Sequence, residues 1–154
     1  MIRLARADEA EALAAVQRDA SLAALAHIFP PDQYPYPIDE VLARWRDALA
    51  DPAAQVLVAE EDGTTSGVAL SRPEWLDGLY VVPTRWGTGL ARHLHDAALE
   101  RVRAGGSERC HLWVLAHNAR ARRFYERLGW RENGTTRVVP FPPNPIDVGY
   151  SIDL

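Results

Sequence analysis

Apolar residues first alternate with basic ones from Ile2 to Arg6, as in a short half-buried strand. The period then lengthens: Leu13, Val16 and Ala20 share one face of a helix. Asp8 followed by Glu11 reads as a capping box at its start. Pro30 to Pro37, broken by prolines at both ends and within, cannot be regular helix. A second helix is predicted from Asp39 to Leu49, with Val41, Leu42, Trp45 and Leu49 inward. Strands follow at Gln55–Glu60, Gly67–Ser71 and Trp75–Val82, the first two joined by an Asp62-Gly63 hairpin turn. Helical spacing returns at Leu90, Leu94, Ala97 and Ala98 and stops at Gly105-Gly106. His111 to Leu115 is apolar on both faces, which predicts a strand covered on two sides. Asn118 suits the cap of a helix with Ala121, Phe124 and Leu128 inward and Gly129 at its close. A proline-aromatic loop over 140–145 leads to a last strand, Ile146–Ile152.

The order is strand, two helices, three strands, helix, strand, helix, and one or two strands. That is an α/β or α+β fold, a mostly antiparallel meander feeding a strand–helix–strand unit. No repeat or linker divides the 154 residues, so one domain over 1–154 is expected.

Charge and composition narrow the chemistry. All 17 basic side chains are arginines, which rules out a Schiff-base lysine. The net charge of −4 argues against a nucleic-acid binder. Residues 1–77 carry 6 Arg against 14 acids (−8), and residues 78–154 carry 11 against 7 (+4). The second half is the better place for an anionic ligand. Cys110 is the only cysteine, so no intrachain disulfide forms, and its apolar neighbours place it in a buried strand. The acidic start, with Asp8, Glu9 and Glu11, is unlike a targeting peptide, and no apolar stretch approaches a membrane span. A cytoplasmic protein without membrane contact is the expectation.

The chemistry concentrates in two stretches. In Leu79 to Arg92 a strand runs into Trp86-Gly87-Thr88-Gly89-Leu90-Ala91 and a helix begins at once. Small residues there let backbone N–H groups approach a phosphate at the positive end of the helix, with Arg85 and Arg92 nearby. No Gly-Lys-Ser/Thr follows, so this is not a P-loop, and the glycine spacing does not fit a dinucleotide fingerprint. In Leu112 to Trp130 a strand leads through Asn118 to a helix ending Phe124-Tyr125-Glu126-Arg127-Leu128-Gly129-Trp130.

Together these stretches resemble the signature of the GNAT superfamily of N-acetyltransferases. The glycine segment resembles that family's acetyl-CoA pyrophosphate loop, Gln/Arg-x-x-Gly-x-Gly/Ala, with Trp86 where Gln or Arg is usual. The resemblance is specific over 79–130 and consistent with the rest of the chain. It implies a mixed, mostly antiparallel central sheet flanked by helices, and acetyl transfer from acetyl-CoA to an amine by direct attack in a ternary complex.

The resemblance also implies roles. Val81, Val82, Trp86, Gly87, Thr88, Gly89, Leu90, Ala91, Arg92 and Asn118 hold acetyl-CoA, with an oxyanion donor near Val81 and Val82. Tyr125 matches the general-acid tyrosine that protonates the departing thiolate. Asp77 or Glu74 stands where the family often places an acid that could serve as the base, and His117 sits beside Asn118 near the splay; the alternative is a base acting through ordered water, or none. Arg120, Arg122, Arg123 and Arg127 are solvent-face arginines, one or two of which reach the 3′-phosphate.

The resemblance implies that the amine acceptor, a small molecule or peptide, falls between the first-helix region and the late loops, here 27–37 and 140–145. There Phe29, Tyr34, Tyr36 and Phe141 build an aromatic cleft, and Asp32 or Asp39 attracts a cation. The alternative is that these prolines and aromatics only stiffen loops. No metal is expected, because His93 and His95 point to different sides of their helix. A homodimer is compatible with the family, although no apolar stripe demonstrates one. A non-catalytic acyl-CoA sensor or an interaction protein on the same fold is the competing reading.

Overall fold

The computed structural model describes all 154 residues. In chain order the elements are β1 (Ile2–Leu4), α1 (Ala10–Ala24), α2 (Ile38–Ala50), β2 (Gln55–Glu61), β3 (Thr64–Arg72) and β4 (Trp75–Val81). There follow α3 (Leu90–Ala104), β5 (Arg109–Leu115), α4 (Ala119–Arg127), β6 (Arg131–Val138) and β7 (Ile146–Asp153). The strands form one sheet in the order β1-β2-β3-β4-β5-β7-β6. Every neighbouring pair is antiparallel except β4–β5, which is parallel. No helix is long and apolar enough to cross a membrane.

The sheet is packed on both faces. Leu13, Val16, Val41 and Trp45 of α1 and α2 close over Val56, Val58 and Val68. On the other face Leu90, Leu94, Ala98 and Val102 of α3 meet Leu57, Ala69, Leu112 and Val114, with Ala121 and Tyr125 of α4 alongside. The helix periodicities above are therefore the inward stripes. Helix α3 lies so close that a Cβ on Gly67 would come within 2.6 Å of the Leu94 side chain. The Asp62-Gly63 turn has positive φ at both residues, as a two-residue hairpin of matching twist requires. Pairing resumes directly at Thr64, so β3 begins three residues before the predicted Gly67.

Two other expectations are corrected. Asp8 does not cap α1; the helix has no side-chain cap, and Asp8 only approaches Arg6 at 3.8 Å. Instead Glu9 turns back to β1, where its carboxylate accepts from the Arg3 guanidinium and from the Arg6 N–H. Arg3 also binds Glu60, so this cluster ties β1, α1 and β2 together while Leu4 is left 50% exposed. Second, only one face of β5 is covered: Cys110, Leu112 and Val114 are buried, but His111, Trp113 and Leu115 are not. Of the one or two strands expected after α4 there are two, and the first, β6, is a fully exposed edge strand whose polar sequence carries no alternation.

The Arg3 hydrogen bond holds the Glu9 carboxyl down at about 2, against an ordinary 4.5. A carboxyl depressed in the fold stabilises above its unfolded value, and that contribution is lost as pH falls through the folded one. Glu9→Gln should therefore lower the urea midpoint near neutrality. The gap to the unaltered protein should close as pH falls from about 4.5 towards 2, and a constant gap would refute this account.

Candidate active site

The site begins with a break in the sheet. Strands β4 and β5 pair only at Trp75 and His111. Across from β3, Ser71 faces Leu76 and Leu70 faces Gly78, which leaves Asp77 as a bulged residue. A bulge bends its strand, so β4 follows β3 away from β5, while β5 remains paired with β7 along its whole length. A wedge-shaped gap opens towards the C-terminal ends of β4 and β5.

One lip of the gap carries a row of donors. After β4 a short 3₁₀ turn, Pro83–Arg85, leads to Gly87 (φ +76°) and Gly89 (φ +87°), conformations that glycine adopts without steric cost. Gly89 opens α3 and supplies no side-chain cap. Consequently the backbone N–H groups of every residue from Gly87 to Arg92 donate to no acceptor in the protein. Such a row at a helix N-terminus is a ready anion cradle.

The side chains around this loop are already committed. The Trp86 indole N–H donates to the Val81 carbonyl at 2.8 Å, so Trp86 offers no polar atom to a phosphate. Arg85 is paired with Glu61 at the β2–β3 turn, and Arg92 leans along its own helix towards Asp96 at 3.7 Å. Of the two oxyanion candidates, Val82 donates its N–H to the Ser66 carbonyl of β3. Antiparallel alternation then turns the N–H of Val81 to the opposite side, into the gap.

The other lip supplies Asn118 and Tyr125. Asn118 caps α4, its Oδ1 accepting from the Ala121 N–H at 3.2 Å, while its Nδ2 group donates to nothing in the protein. Both residues line a cavity of about 960 Å³ that runs from the gap to the α1–α2 connection. Tyr125 is wedged against Phe124 and Trp130, and burial raises its phenol above the ordinary 10. Tyr80, in the same wall, is pushed up to about 12 by burial. Neither hydroxyl has a hydrogen-bond partner, and that of Tyr36 lies beside Ser21 short of hydrogen-bond geometry.

The aromatic residues named for the acceptor, Phe29, Tyr34, Tyr36 and Phe141, all line this cavity. Asp32 and Asp39 do not; their place is taken by Glu40 of α2. Asp77 also lines it, with Oδ2 held by Arg72, whereas Glu74 lies exposed in the β3–β4 turn outside the cavity wall. His117 is exposed, and its carbonyl meets the His27 ring.

Sequence reasoning missed Asp147. It is 6% exposed, lines the cavity, and accepts at Oδ2 from Arg137 Nε at 2.9 Å, leaving Oδ1 without a partner. Arg137 in turn lies 4.6 Å from the centre of the Trp113 ring, whose other neighbour is Trp75. Arg122, expected on the solvent face, instead binds the Tyr150 hydroxyl, the Ala116 carbonyl and Glu132. The Cys110 thiol is pushed up to about 12 by burial and is no nucleophile.

Residues 20–130 match the acetyltransferase (GNAT) family, and the chain belongs to that family. An uncharacterized N-acetyltransferase of Mycobacterium tuberculosis is 37% identical over 98 residues, covering 60% of this chain and 63% of that protein. The mycothiol acetyltransferase of Kineococcus radiotolerans is 34% identical over 118 residues, 75% of this chain. The match spans only 39% of that longer relative. Among solved structures, the PaiA N-acetyltransferase of Thermoplasma acidophilum, in complex with coenzyme A, superposes with a TM-score of 0.79. That likeness covers 100% of this chain and 98% of the other at 19% identity, and it is one of fold.

Behind Tyr125, a buried histidine fixes the end of the motif. Trp130 donates its indole N–H to His95 Nε2 at 2.9 Å, and His95 Nδ1 meets Asp96 Oδ1 at 2.8 Å. A neutral ring protonated at Nδ1 satisfies both contacts, and burial pushes His95 below the ordinary 6.5. Such a group stabilises the fold above its unfolded value, and the contribution drains away as pH falls below it. Stability should therefore decline as pH drops below about 6.5. His95→Phe should cost about 1–3 kcal/mol near neutrality, because the Trp130 donor loses its acceptor. The variant should also flatten this part of the profile, as thermal unfolding at several pH values would show.

Proposed function

We propose that this chain transfers an acetyl group from acetyl-CoA to a primary amine by direct attack within a ternary complex. One observation carries the reading: an anion cradle, a free strand-edge donor and an unpartnered phenol converge on one gap that opens into an aromatic cavity. The family membership and the names of the relatives support it. Acetyl-CoA, when bound, brings an acyl group activated as a thioester.

The N–H row from Gly87 to Arg92 suits the diphosphate, with the α3 dipole adding to the attraction. The Val81 N–H is the donor placed for the developing oxyanion, and Asn118 Nδ2 is a second donor facing the gap. Tyr125 is the general acid for the departing sulfur. Its burial keeps the phenol protonated across the physiological range, and no internal partner competes for the proton.

Asp77 is preferred over Glu74 as the group that takes the amine proton. Its bulge position turns it into the cavity, and its Oδ1 is free while Arg72 holds Oδ2. The acceptor lies among Phe29, Tyr34, Tyr36 and Phe141, where aromatic faces favour a cationic amine. A small molecule or a peptide terminus meets this description. One domain over 1–154 contains every part named here.

Calorimetric titration with acetyl-CoA should show binding that Gly89→Glu abolishes, since a carboxylate would then occupy the anion cradle. No binding by the unaltered protein would sink the enzyme reading. With an amine panel beginning with small cations, Tyr125→Phe should lower turnover by about 10²–10⁴-fold while acetyl-CoA affinity stays unchanged. Unchanged turnover would remove Tyr125 from the mechanism, and binding without turnover on any amine would favour an acyl-CoA sensor. Asp77→Asn should slow the reaction, whereas Glu74→Gln should leave its rate unchanged.

A further inference from the structure

Trp86 occupies the loop position where the family places a polar side chain, yet its one polar atom is bound to Val81. Its ring has another use. The Arg120 guanidinium lies 3.6 Å from the ring centre, from the first turn of α4. Trp86 follows β4 and Arg120 follows β5, so the stacked pair bridges the two lips of the gap directly beside the donor row.

Arg120 makes no hydrogen bond or ion pair, unlike Arg85 and Arg92 on either side of the loop. Partial desolvation disfavours its charged form, and no carboxylate acts the other way. A guanidinium stacked on a ring keeps its in-plane N–H donors free, and a planar donor fork matches phosphate oxygens. A cation partly stripped of water, held in place and left without an anion, is arranged for an anion that comes from outside.

We propose that Trp86 is a positioning residue that holds Arg120 over the mouth of the gap, where Arg120 donates to the diphosphate bound by the Gly87–Arg92 row. The polar donor that an indole at position 86 does not provide thereby comes from the opposite lip. This rests on the acetyl-CoA reading of the same site, and the test separates the two.

Dissociation constants for CoA and for dephospho-CoA would be measured by calorimetry on the unaltered protein, Arg120→Gln, Trp86→Leu, Trp86→Phe and the Arg120→Gln/Trp86→Leu double variant. Arg131→Gln, an exposed arginine of β6, controls for the loss of one positive charge. Arg120→Gln should weaken both ligands alike, by about ten- to a hundredfold, as expected when a charge-assisted hydrogen bond is removed. Trp86→Leu should weaken them too, and the double variant should be no weaker than Arg120→Gln, because one residue acts through the other. Trp86→Phe, which keeps a ring beneath the guanidinium, should stay within about threefold of the unaltered protein.

Arg120 is exposed, so its variant should unfold at the unaltered temperature, and a matching melting curve excludes a folding effect. The proposal is overturned if Arg120→Gln binds as tightly as Arg131→Gln, or if the Trp86 and Arg120 effects add. It is also overturned if the Arg120 effect vanishes with dephospho-CoA, which would place the guanidinium on the 3′-phosphate. Failure of the unaltered protein to bind CoA would instead overturn the acetyl-CoA reading, and this inference with it.

Discussion

The parting of β4 from β5 after their one pair, Trp75 with His111, is the constraint on which the rest of the molecule depends. Unpaired strand edges are costly inside a protein, because each carries N–H and C=O groups that need partners. The gap persists because neither strand is free to close it. β4 is bound along β3 and β5 along β7, and each is anchored by its own buried side chains. The Asp77 bulge sets the direction in which β4 leaves. What remains is a slot whose walls offer backbone hydrogen bonds to an extended ligand, much as a sheet edge offers them to another strand.

Charge is distributed to match. The excess of arginine in the second half does not form a diffuse positive field. Arg109, Arg122 and Arg137 are paired with Asp153, Glu132 and Asp147 and serve the β5–β7–β6 half of the sheet. Arg120, Arg123 and Arg127 remain without acidic partners, spaced three and four residues apart along α4. Residues at that spacing share one helical face. Three of the five second-half arginines without an acidic partner thus lie on the helix that starts at the gap, the other two being Arg101 and Arg131. An anion at the start of that helix meets backbone dipoles from one lip and the Arg120 guanidinium from the other.

The parts legible in the sequence were those written in periodicity or in a local motif. Leu13, Val16 and Ala20, and later Leu90, Leu94 and Ala98, declare their helices because one stripe must be buried. Gly87, Gly89, Asn118 and Tyr125 declare the site because their chemistry is local to a turn or a cap. What stayed hidden depends on partners distant in sequence. Asp8 is not the cap because Glu9 beside it turns back to Arg3, which the β1–β2 pairing also sets against Glu60. Asp147 reads as an ordinary strand acid until β6 and β5 bring Arg137 and Trp113 around it. β6 has no apolar alternation, since an exposed edge has no buried face to encode.

The cavity itself holds two kinds of polar group in different settings. Two of its carboxylates are tied to guanidinium groups, Asp77 to Arg72 near the start of β4 and Asp147 to Arg137 opposite the last residue of β5, each with one oxygen left free. The phenols of Tyr80 and Tyr125 are raised by burial and without partners. On the proposed reading, a cationic amine is drawn to the carboxylates. On the same reading, the sulfur meets phenols that hold their protons. Low polarity around the phenols strengthens any hydrogen bond one of them makes to a developing thiolate, because no water or side chain competes for it.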